Sequence, residues 1–268
     1  MKRYALIILC IVLCFSLGGC ASSFKAIKNI TKSVISSQKV EDTEKAKEEE
    51  SSIPEDSVKE NETPEEEEKE TEKANPYSYS QKLLLTASYG SSNATMELMN
   101  WENGEWKAIY SCKATIGKNG AGSNYGEGKK ITPTGIYKLG VVLCKSEPGN
   151  NWPYRIVNTK TCIVDDTASQ YYNTIQNLDS VPKNISVDRI GETIINGNTE
   201  QCIYIEHNGN GITSEGVVVG KGSAITICGK TTSLYATAGC VDISATDLKN
   251  IISRMNYKNN PHIEIVVR

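Results

Sequence analysis

Cys240 is the side chain best placed for covalent chemistry, because it follows a glycine at the end of a loop. It lies in Thr237-Ala-Gly-Cys-Val241, after the strand-like stretch Gly222-Ser-Ala-Ile-Thr-Ile-Cys-Gly229. A cysteine at such a corner can attack an acyl carbon while backbone amides from Ala238 to Cys240 hold the oxyanion, and Gly239 permits close backbone approach. On this motif alone, a small buried structural cysteine is the commoner outcome.

A cysteine nucleophile is usually activated by a base, and the sequence offers two histidines, His207 and His262. A free thiol is only a few per cent ionised near neutral pH, so an imidazole close by would increase the thiolate fraction. His207 ends the strand-like run Gln201 to Glu206, whereas His262 lies in the last strand. His207 is therefore the candidate base, and an ordinary polar residue at a strand end is the alternative.

The first 20 residues have the pattern of an exported lipoprotein. Lys2 and Arg3 precede the apolar run Tyr4 to Leu17, which is short for a membrane span, and small residues precede Cys20. We predict a signal peptide over residues 1–20, lipidation of Cys20 and an extracytoplasmic location at the membrane. A plain N-terminal membrane anchor is the alternative and would leave the protein on the same side.

Charge divides the rest of the chain into two parts. Residues 41–73 contain sixteen acidic residues and five lysines with few large apolar side chains, so this acidic tract cannot offset the entropy lost on ordering. We predict a disordered, extended tether over residues 21–74 and a folded domain over residues 75–268. The folded part is nearly neutral and has no basic strip, so nucleic acid is not expected as a partner.

Six cysteines remain after the signal peptide and Cys20 are set aside. They are Cys112, Cys144, Cys162, Cys202, Cys228 and Cys240. An even number permits disulfides in an exported protein, but no spacing matches a Cys-x-x-Cys pair or a zinc ligand set. No metal site is therefore expected.

From residue 81 onward, short β-type runs alternate with turn residues. Strands are predicted over residues 82–88, 95–101, 106–113, 135–143, 201–206, 224–228 and 262–267. Asn103 and Gly104 suit a tight hairpin turn, and Ser244 can cap a final helix, with Asp247 three residues later. A second helix is predicted near Asp166. The expected fold is mostly β, a sandwich or barrel-like mixed sheet with one or two packed helices.

These motifs together resemble the catalytic domain of the L,D-transpeptidase (YkuD-type) family, in the branch whose nucleophile motif reads Thr-Ala-Gly-Cys. The matching segments occur in the family's order. They are Gly117-Lys-Asn-Gly120, Glu127-Gly128, Thr132-Pro-Thr-Gly-Ile-Tyr137, Val164-Asp-Asp166, Ser169, Tyr172-Asn173, His207-Asn208 and Gly222-Ser-Ala-Ile225. Several motifs in one order are more specific than any one of them.

The resemblance implies acyl transfer on peptidoglycan stem peptides. Cys240 would attack the carbonyl of the third stem residue, a diamino acid, and expel the terminal D-alanine. The thioacyl enzyme would then acylate an amine of a second stem, giving a three-to-three cross-link, or water. Thr237, Gly222 and Ser223 would contact substrate. The family needs no metal or organic cofactor, and its acylation by carbapenem-type β-lactams implies inhibition here.

Cys228 departs from the family pattern, because this branch ordinarily has the activating histidine at that position. The other branch has histidine directly before Gly-Cys, where this chain has Ala238. Three explanations stay open: a relocated base such as His207, redox control through a Cys228–Cys240 disulfide, or a degenerate enzyme that binds wall peptide without turnover. A generic cysteine protease is weaker, because it too would need a positioned histidine.

Overall fold

A computed structural model of the chain describes residues 74–268. The predicted signal peptide, the lipidation of Cys20 and the tether up to residue 73 lie outside the described residues and stay predictions. Between residues 74 and 268, no helix is long and apolar enough to cross a membrane.

Strands make up most of the regular secondary structure within residues 74–268. The strands are β1 (Gln81–Ala87), β2 (Asn93–Glu102), β3 (Glu105–Thr115), β4 (Ala121–Gly122), β5 (Thr132–Pro133), β6 (Gly135–Cys144), β7 (Tyr154–Ile156), β8 (Thr161–Val164), β9 (Ile175–Asn177), β10 (Val187–Asp188), β11 (Thr199–Ile205), β12 (Thr226–Lys230), β13 (Val241–Ser244) and β14 (His262–Val267). The α-helices are α1 (Ile190–Ile195) and α2 (Ala245–Arg254), and Tyr257–Asn259 forms a single 3-10 turn.

The largest sheet closes on itself. Its strand order is β11-β12-β13-β3-β2-β1-β14-β6-β7, and β11 also pairs with β6, so eight strands form a barrel that leaves β7 at the rim. The β12–β13 and β1–β14 pairs are parallel and the other pairs of the ring are antiparallel. Closure pairs strand edges that would otherwise be open. The predicted fold class, a mostly β barrel-like mixed sheet with one or two helices, is confirmed.

Strands β11 and β12 each separate two cores, because successive side chains of a strand point to opposite faces. Ile203 and Ile227 belong to the barrel interior, which also contains the apolar side of α2. Their neighbours Cys202 and Cys228 belong to a second core, shared with α1 and β8. The thiols therefore lie on the outer face of the barrel, beneath the three-stranded sheet β10-β8-β9.

Helix α2 packs directly on the backbone of β12 at Gly229. A Cβ atom at Gly229 would lie 3.1 Å from Leu248 Cδ2 and 3.2 Å from Ala245 Cα, which is tighter than ordinary side-chain contacts. Glycine at this position therefore lets the helix approach the strand that carries Cys228 on its other face.

Two local predictions are confirmed. Asn103 and Gly104 have positive φ values of 53° and 83°, as the tight turn between β2 and β3 requires. Ser244 caps α2, because its Oγ accepts a hydrogen bond from the Asp247 amide at 3.0 Å.

The helix predicted near Asp166 is wrong. The segment folds as consecutive turns, in which the Asp166 carboxylate accepts from the Ala168 amide at 2.9 Å and the Ser169 hydroxyl from the Tyr171 amide at 3.1 Å. Such local bonds from Asp and Ser side chains offer the backbone an alternative to a helix. The second helix is α1, some twenty residues later along the chain.

Ser244→Ala should lower the free energy of unfolding by about 1 kcal/mol, because the Asp247 amide loses its acceptor. Urea unfolding monitored by circular dichroism measures the change. Ser253→Ala is the matched control, since this exposed serine lies near the end of the same helix and bonds one carbonyl. Equal losses in the two variants would contradict the role of the cap.

Candidate active site

The loop that carries Cys240 is braced by Thr237. The Thr237 hydroxyl donates to the Cys240 carbonyl at 2.6 Å and accepts from the Gly239 amide at 3.0 Å. Gly239 has φ 143°, and a Cβ there would lie 2.9 Å from Ile225 Cδ1, so a side chain would be strained and crowded. The hydroxyl of Thr237, expected to contact substrate, is thus used within the loop.

The backbone amides of this loop differ in availability. The Gly239 amide is occupied by the Thr237 hydroxyl. Within residues 74–268, the amides of Ala238 and Cys240 have no hydrogen-bond acceptor. Of the predicted oxyanion donors, Ala238 and Cys240 therefore have free N–H groups, whereas Gly239 supplies the backbone conformation.

The Cys240 thiol is held in its protonated form. Its Sγ donates to the Ala224 carbonyl at 3.2 Å, and the Thr226 hydroxyl lies 3.5 Å from the same sulfur. A hydrogen bond with Cys228 and then burial raise the pKa of Cys240 well above the usual thiol value. The predicted nucleophile is thus partly exposed, and it carries its proton at neutral pH.

Cys228, at the usual position of the base, contacts a third thiol. Its Sγ lies 2.8 Å from Cys202 Sγ and 3.1 Å from the Thr226 hydroxyl. The hydrogen bond with Cys202 raises the pKa of Cys228 well above the usual value. Cys228 is therefore neutral and cannot replace an imidazole as a base. Sequence reasoning missed Cys202 because its position depends on the register that pairs it with Cys228.

His207 lies in the same cavity as Cys240 but bonds elsewhere. Its Nδ1 lies 3.3 Å from the Ile205 carbonyl, and its ring makes edge contacts with Tyr125 and Tyr137 at centroid distances of 6.0 and 6.2 Å. Burial lowers the pKa of His207, so the ring is neutral. Its Nε2 is buried without a partner in the described part of the chain. The structure does not bond His207 to Cys240.

Asn173 fixes the segment that leads into β12. Its Oδ1 accepts from the Tyr204 hydroxyl at 2.7 Å and from the Ala224 amide at 3.0 Å, and its amide group donates to the Asn208 carbonyl. Ala224 is thereby held at φ 56°, a conformation that non-glycine residues adopt rarely. The Ala224 carbonyl that receives the Cys240 thiol thus owes its position to Asn173.

Two neighbouring bonds hold Gly222, which with Ser223 was expected to contact substrate. The Gly222 amide donates to the Tyr172 hydroxyl at 3.1 Å, and its carbonyl accepts from the Asn208 side chain at 2.9 Å. Both Gly222 and Ser223 line the same cavity as Cys240.

Asn173→Ala should lower the free energy of unfolding by about 2–4 kcal/mol, because three buried groups would lose their partner. Chemical unfolding measures the loss. Asn196→Ala serves as control, since its side chain is exposed and bonds only Glu192 in the described chain. A change below about 1 kcal/mol for Asn173→Ala would contradict the role assigned to this residue.

Cys240 lies where two cavities meet. The histidine-side cavity is lined by residues that include Glu127, Lys130, Asp165, His207, Lys221, Gly222 and Ser223. The lysine-side cavity is lined by residues that include Thr226, Cys228, Lys230, Tyr235, Thr237 and Asp242. Cys240, Ala238 and Asp188 line both cavities. One thiol is therefore accessible from two sides, each with acidic and basic groups.

A partly buried ion pair lies in the lysine-side cavity. Lys230 Nζ is 3.7 Å from an Asp242 carboxylate oxygen, and both side chains are less than one fifth exposed. Burial raises the pKa of Asp242 to about 6, although Lys230 opposes the shift. Sequence reasoning missed this pair because the parallel pairing of β12 with β13, and no local motif, brings the two strands together.

The raised pKa of Asp242 predicts a pH dependence of stability. An unfolded aspartate titrates near 3.9, so between about pH 4 and 6 the folded protein binds more protons than the unfolded chain. The stability that wild type has over Asp242→Asn should therefore fall as pH rises from 4 to 6 and then level off. Urea unfolding at several pH values measures this difference.

Asp179→Asn provides the control for that series. Asp179 is exposed and pairs with Lys160 at 2.7 Å, so its substitution should not reproduce the fall. A flat or rising difference for Asp242→Asn would show that burial does not dominate the titration of this carboxylate.

Comparisons with known proteins are distant. No protein-family model matches the sequence, and no curated protein matches it. Among solved structures, the helical cell shape determining protein Pgp2 from Campylobacter jejuni is 12% identical with a TM-score of 0.37, over 71% of this chain and 51% of its own. Mycobacterium tuberculosis L,D-transpeptidase 1 is 11% identical with a TM-score of 0.30, over 70% of this chain and 62% of its own.

This chain thus spans about half the length of Pgp2 and less than two thirds of the mycobacterial protein. Because both TM-scores are below 0.5, neither likeness supports an inference about function.

Proposed function

We propose that the domain is an L,D-transpeptidase-like acyltransferase that acts on peptidoglycan stem peptides through Cys240. The main support is the position of Cys240 at the junction of two cavities, beside two amides that are free within residues 74–268. This arrangement suits acyl transfer between two peptides, because the donor can occupy one cavity while the acceptor approaches the thioester through the other. The ordered motifs around Thr237-Ala-Gly-Cys240 define the family that this site resembles.

In the proposed reaction, Cys240 sulfur attacks the carbonyl carbon of the third stem residue. The amides of Ala238 and Cys240 stabilise the oxyanion, and collapse of the intermediate expels D-alanine and leaves a thioester. An amine of a second stem, or water, then attacks the thioester carbonyl and releases Cys240. Each step is acyl transfer, so no electrons are exchanged with an outside group.

The charges of the cavities suggest where each peptide binds. Lys130 and Lys221 line the histidine-side cavity and suit the terminal carboxylate of the donor. Asp242 lines the lysine-side cavity but not the histidine-side cavity and suits an ammonium group of the acceptor, whereas Asp188 lines both. We assign the donor to the first cavity and the acceptor to the second on this basis.

Activation of the thiol is the demanding step, because Cys228 replaces the usual histidine. His207 is neutral, has an unpartnered Nε2 among the described residues and lines the donor cavity, so it is the proposed proton acceptor after a side-chain rotation. Rotation would break its contact with the Ile205 carbonyl.

The proposal predicts a covalent adduct that depends on Cys240. The fully reduced protein, incubated with a stem tetrapeptide or a carbapenem and weighed intact, should gain the mass of one acyl group. Cys240→Ala should abolish the adduct, and Cys112→Ala, a half-buried cysteine elsewhere in the barrel, should retain it. No adduct on the reduced wild-type protein with either reagent would contradict the acyltransferase proposal.

One further variant tests whether His207 replaces the missing histidine. His207→Gln should slow adduct formation about 100-fold if His207 is the base, because general-base catalysis commonly contributes that much. A change below twofold would exclude His207 as base.

A wall-binding module without turnover is the second candidate, favoured by the neutral thiol at Cys228 and the high pKa of Cys240. It predicts binding to purified peptidoglycan that persists in Cys240→Ala, together with no adduct in the wild-type protein.

A further inference from the structure

Cys202, Cys228 and Cys240 form a row of thiols on the outer face of the barrel. Cys202 and Cys228 are direct partners across the antiparallel β11–β12 pair, with sulfurs 2.8 Å apart. The Thr226 hydroxyl contacts the sulfurs of both Cys228 and Cys240, at 3.1 and 3.5 Å. Cys228 is therefore the central thiol, with one neighbour on each side.

The two neighbours of Cys228 differ in geometry. Directly opposed residues of antiparallel strands have Cα atoms about 4.5 or 5.5 Å apart, and both spacings lie within the range that a disulfide spans. Cys240 belongs to the loop before β13 and is bonded to the Ala224 carbonyl instead. The three cysteines also differ in exposure: Cys202 is fully buried, Cys228 is 4% exposed and Cys240 is partly exposed.

We propose that Cys202 and Cys228 form a cross-strand disulfide when the protein meets a small-molecule disulfide, and that this bond leaves Cys240 as the free thiol of the site. The site is thus a redox modification site behind the nucleophile. It differs from the Cys228–Cys240 disulfide considered from the sequence, which would block the nucleophile. The consequence for catalysis rests on the proposed function, whereas formation of the bond does not.

The bond forms by two thiol–disulfide exchanges. Cys228, which lines the lysine-side cavity, loses its proton, attacks one sulfur of the small disulfide as the thiolate and expels one small thiolate. The Cys202 thiolate then attacks the Cys228 sulfur, closes the Cys202–Cys228 bond and expels the second small thiolate. The two small thiolates take up the two protons that the cysteines lose. The small disulfide is thus reduced by two electrons, and the two cysteines are oxidised to a disulfide.

A metal site is the other use of clustered thiols. Within residues 74–268, no group of three or more Cys, His, Asp or Glu side chains is arranged to hold a metal ion. The short contact between Cys202 and Cys228 accordingly favours exchange chemistry over shared coordination.

A bond between Cys202 and Cys228 leaves Cys240 with its own partner. The Cys240 thiol keeps the Ala224 carbonyl as its hydrogen-bond acceptor at 3.2 Å and stays partly exposed. Cys240 therefore remains available for alkylation when the other two thiols are linked.

Tryptic mapping can test the proposal because each of the three cysteines lies in its own peptide, residues 190–221, 222–230 and 231–249. The full-length protein is incubated with oxidised glutathione at pH 7.5, treated with iodoacetamide and digested without reduction. We expect peptide 190–221 linked to peptide 222–230, and peptide 231–249 alkylated at Cys240. A linkage between peptides 222–230 and 231–249 would overturn the proposal. Alkylation of all three cysteines when the treated protein is unfolded in iodoacetamide would also overturn it.

Variants provide the second measurement. Iodoacetamide should still alkylate Cys240 in the oxidised protein, because the linkage leaves its thiol free. Cys202→Ser should abolish the linkage, and Cys162→Ser, at a fully buried cysteine of β8, should retain both the linkage and the alkylation of Cys240. Loss of Cys240 alkylation in the linked protein would overturn the proposal that the bond leaves Cys240 free.

These readouts need no substrate turnover. A protein that fails to form an acyl adduct but shows the Cys202–Cys228 linkage would refute the proposed function and support the redox site. The reverse result would refute the redox site alone.

Discussion

The site depends on the position of β12 between β11 and β13. Its alternating side chains place Ile227 in the barrel interior and Thr226 and Cys228 on the outer face. A shift of one residue in the register would turn the thiols into the interior and expose isoleucine to the second core. The antiparallel pairing with β11 and the parallel pairing with β13 fix that register from both sides.

Hydrogen bonds outside the barrel complete the arrangement. Asn173 holds Ala224 in an uncommon conformation, and Thr237 holds the two ends of the Cys240 loop. Neither residue carries out chemistry in the proposed reaction. Both determine where the Cys240 thiol and the free amides lie, which explains why the surrounding motif contains small and amide side chains rather than several acids and bases.

Local signals predicted much of the fold. The hairpin at Asn103 and the capped helix after Ser244 depend on short-range chemistry, and both occur as expected. The start of β12 differs from the prediction, because the strand was expected from Ala224 and begins at Thr226. The positive φ of Ala224, imposed by Asn173 some fifty residues earlier, takes residue 224 out of the strand.

The candidate site was predictable only where one loop carries it. Cys240, Ala238 and Gly239 are adjacent in sequence, so the motif revealed them. Cys202, Lys230 and Asp242 come from three strands, and their proximity follows from pairings that a single sequence does not display. The sequence also could not show how His207 is oriented. His207 lines the same cavity as Cys240, but its ring contacts the Ile205 carbonyl.

The close packing of α2 on Gly229 has a mechanical consequence. Helix α2 packs directly on the backbone of one face of β12, so this strand has little room to move toward the barrel interior. The other face of β12, which carries Cys228, is covered by α1 and a three-stranded sheet. Close packing on Gly229 therefore holds the strand from the side opposite its thiol, so the depth at which the thiol lies is set by the helix behind it.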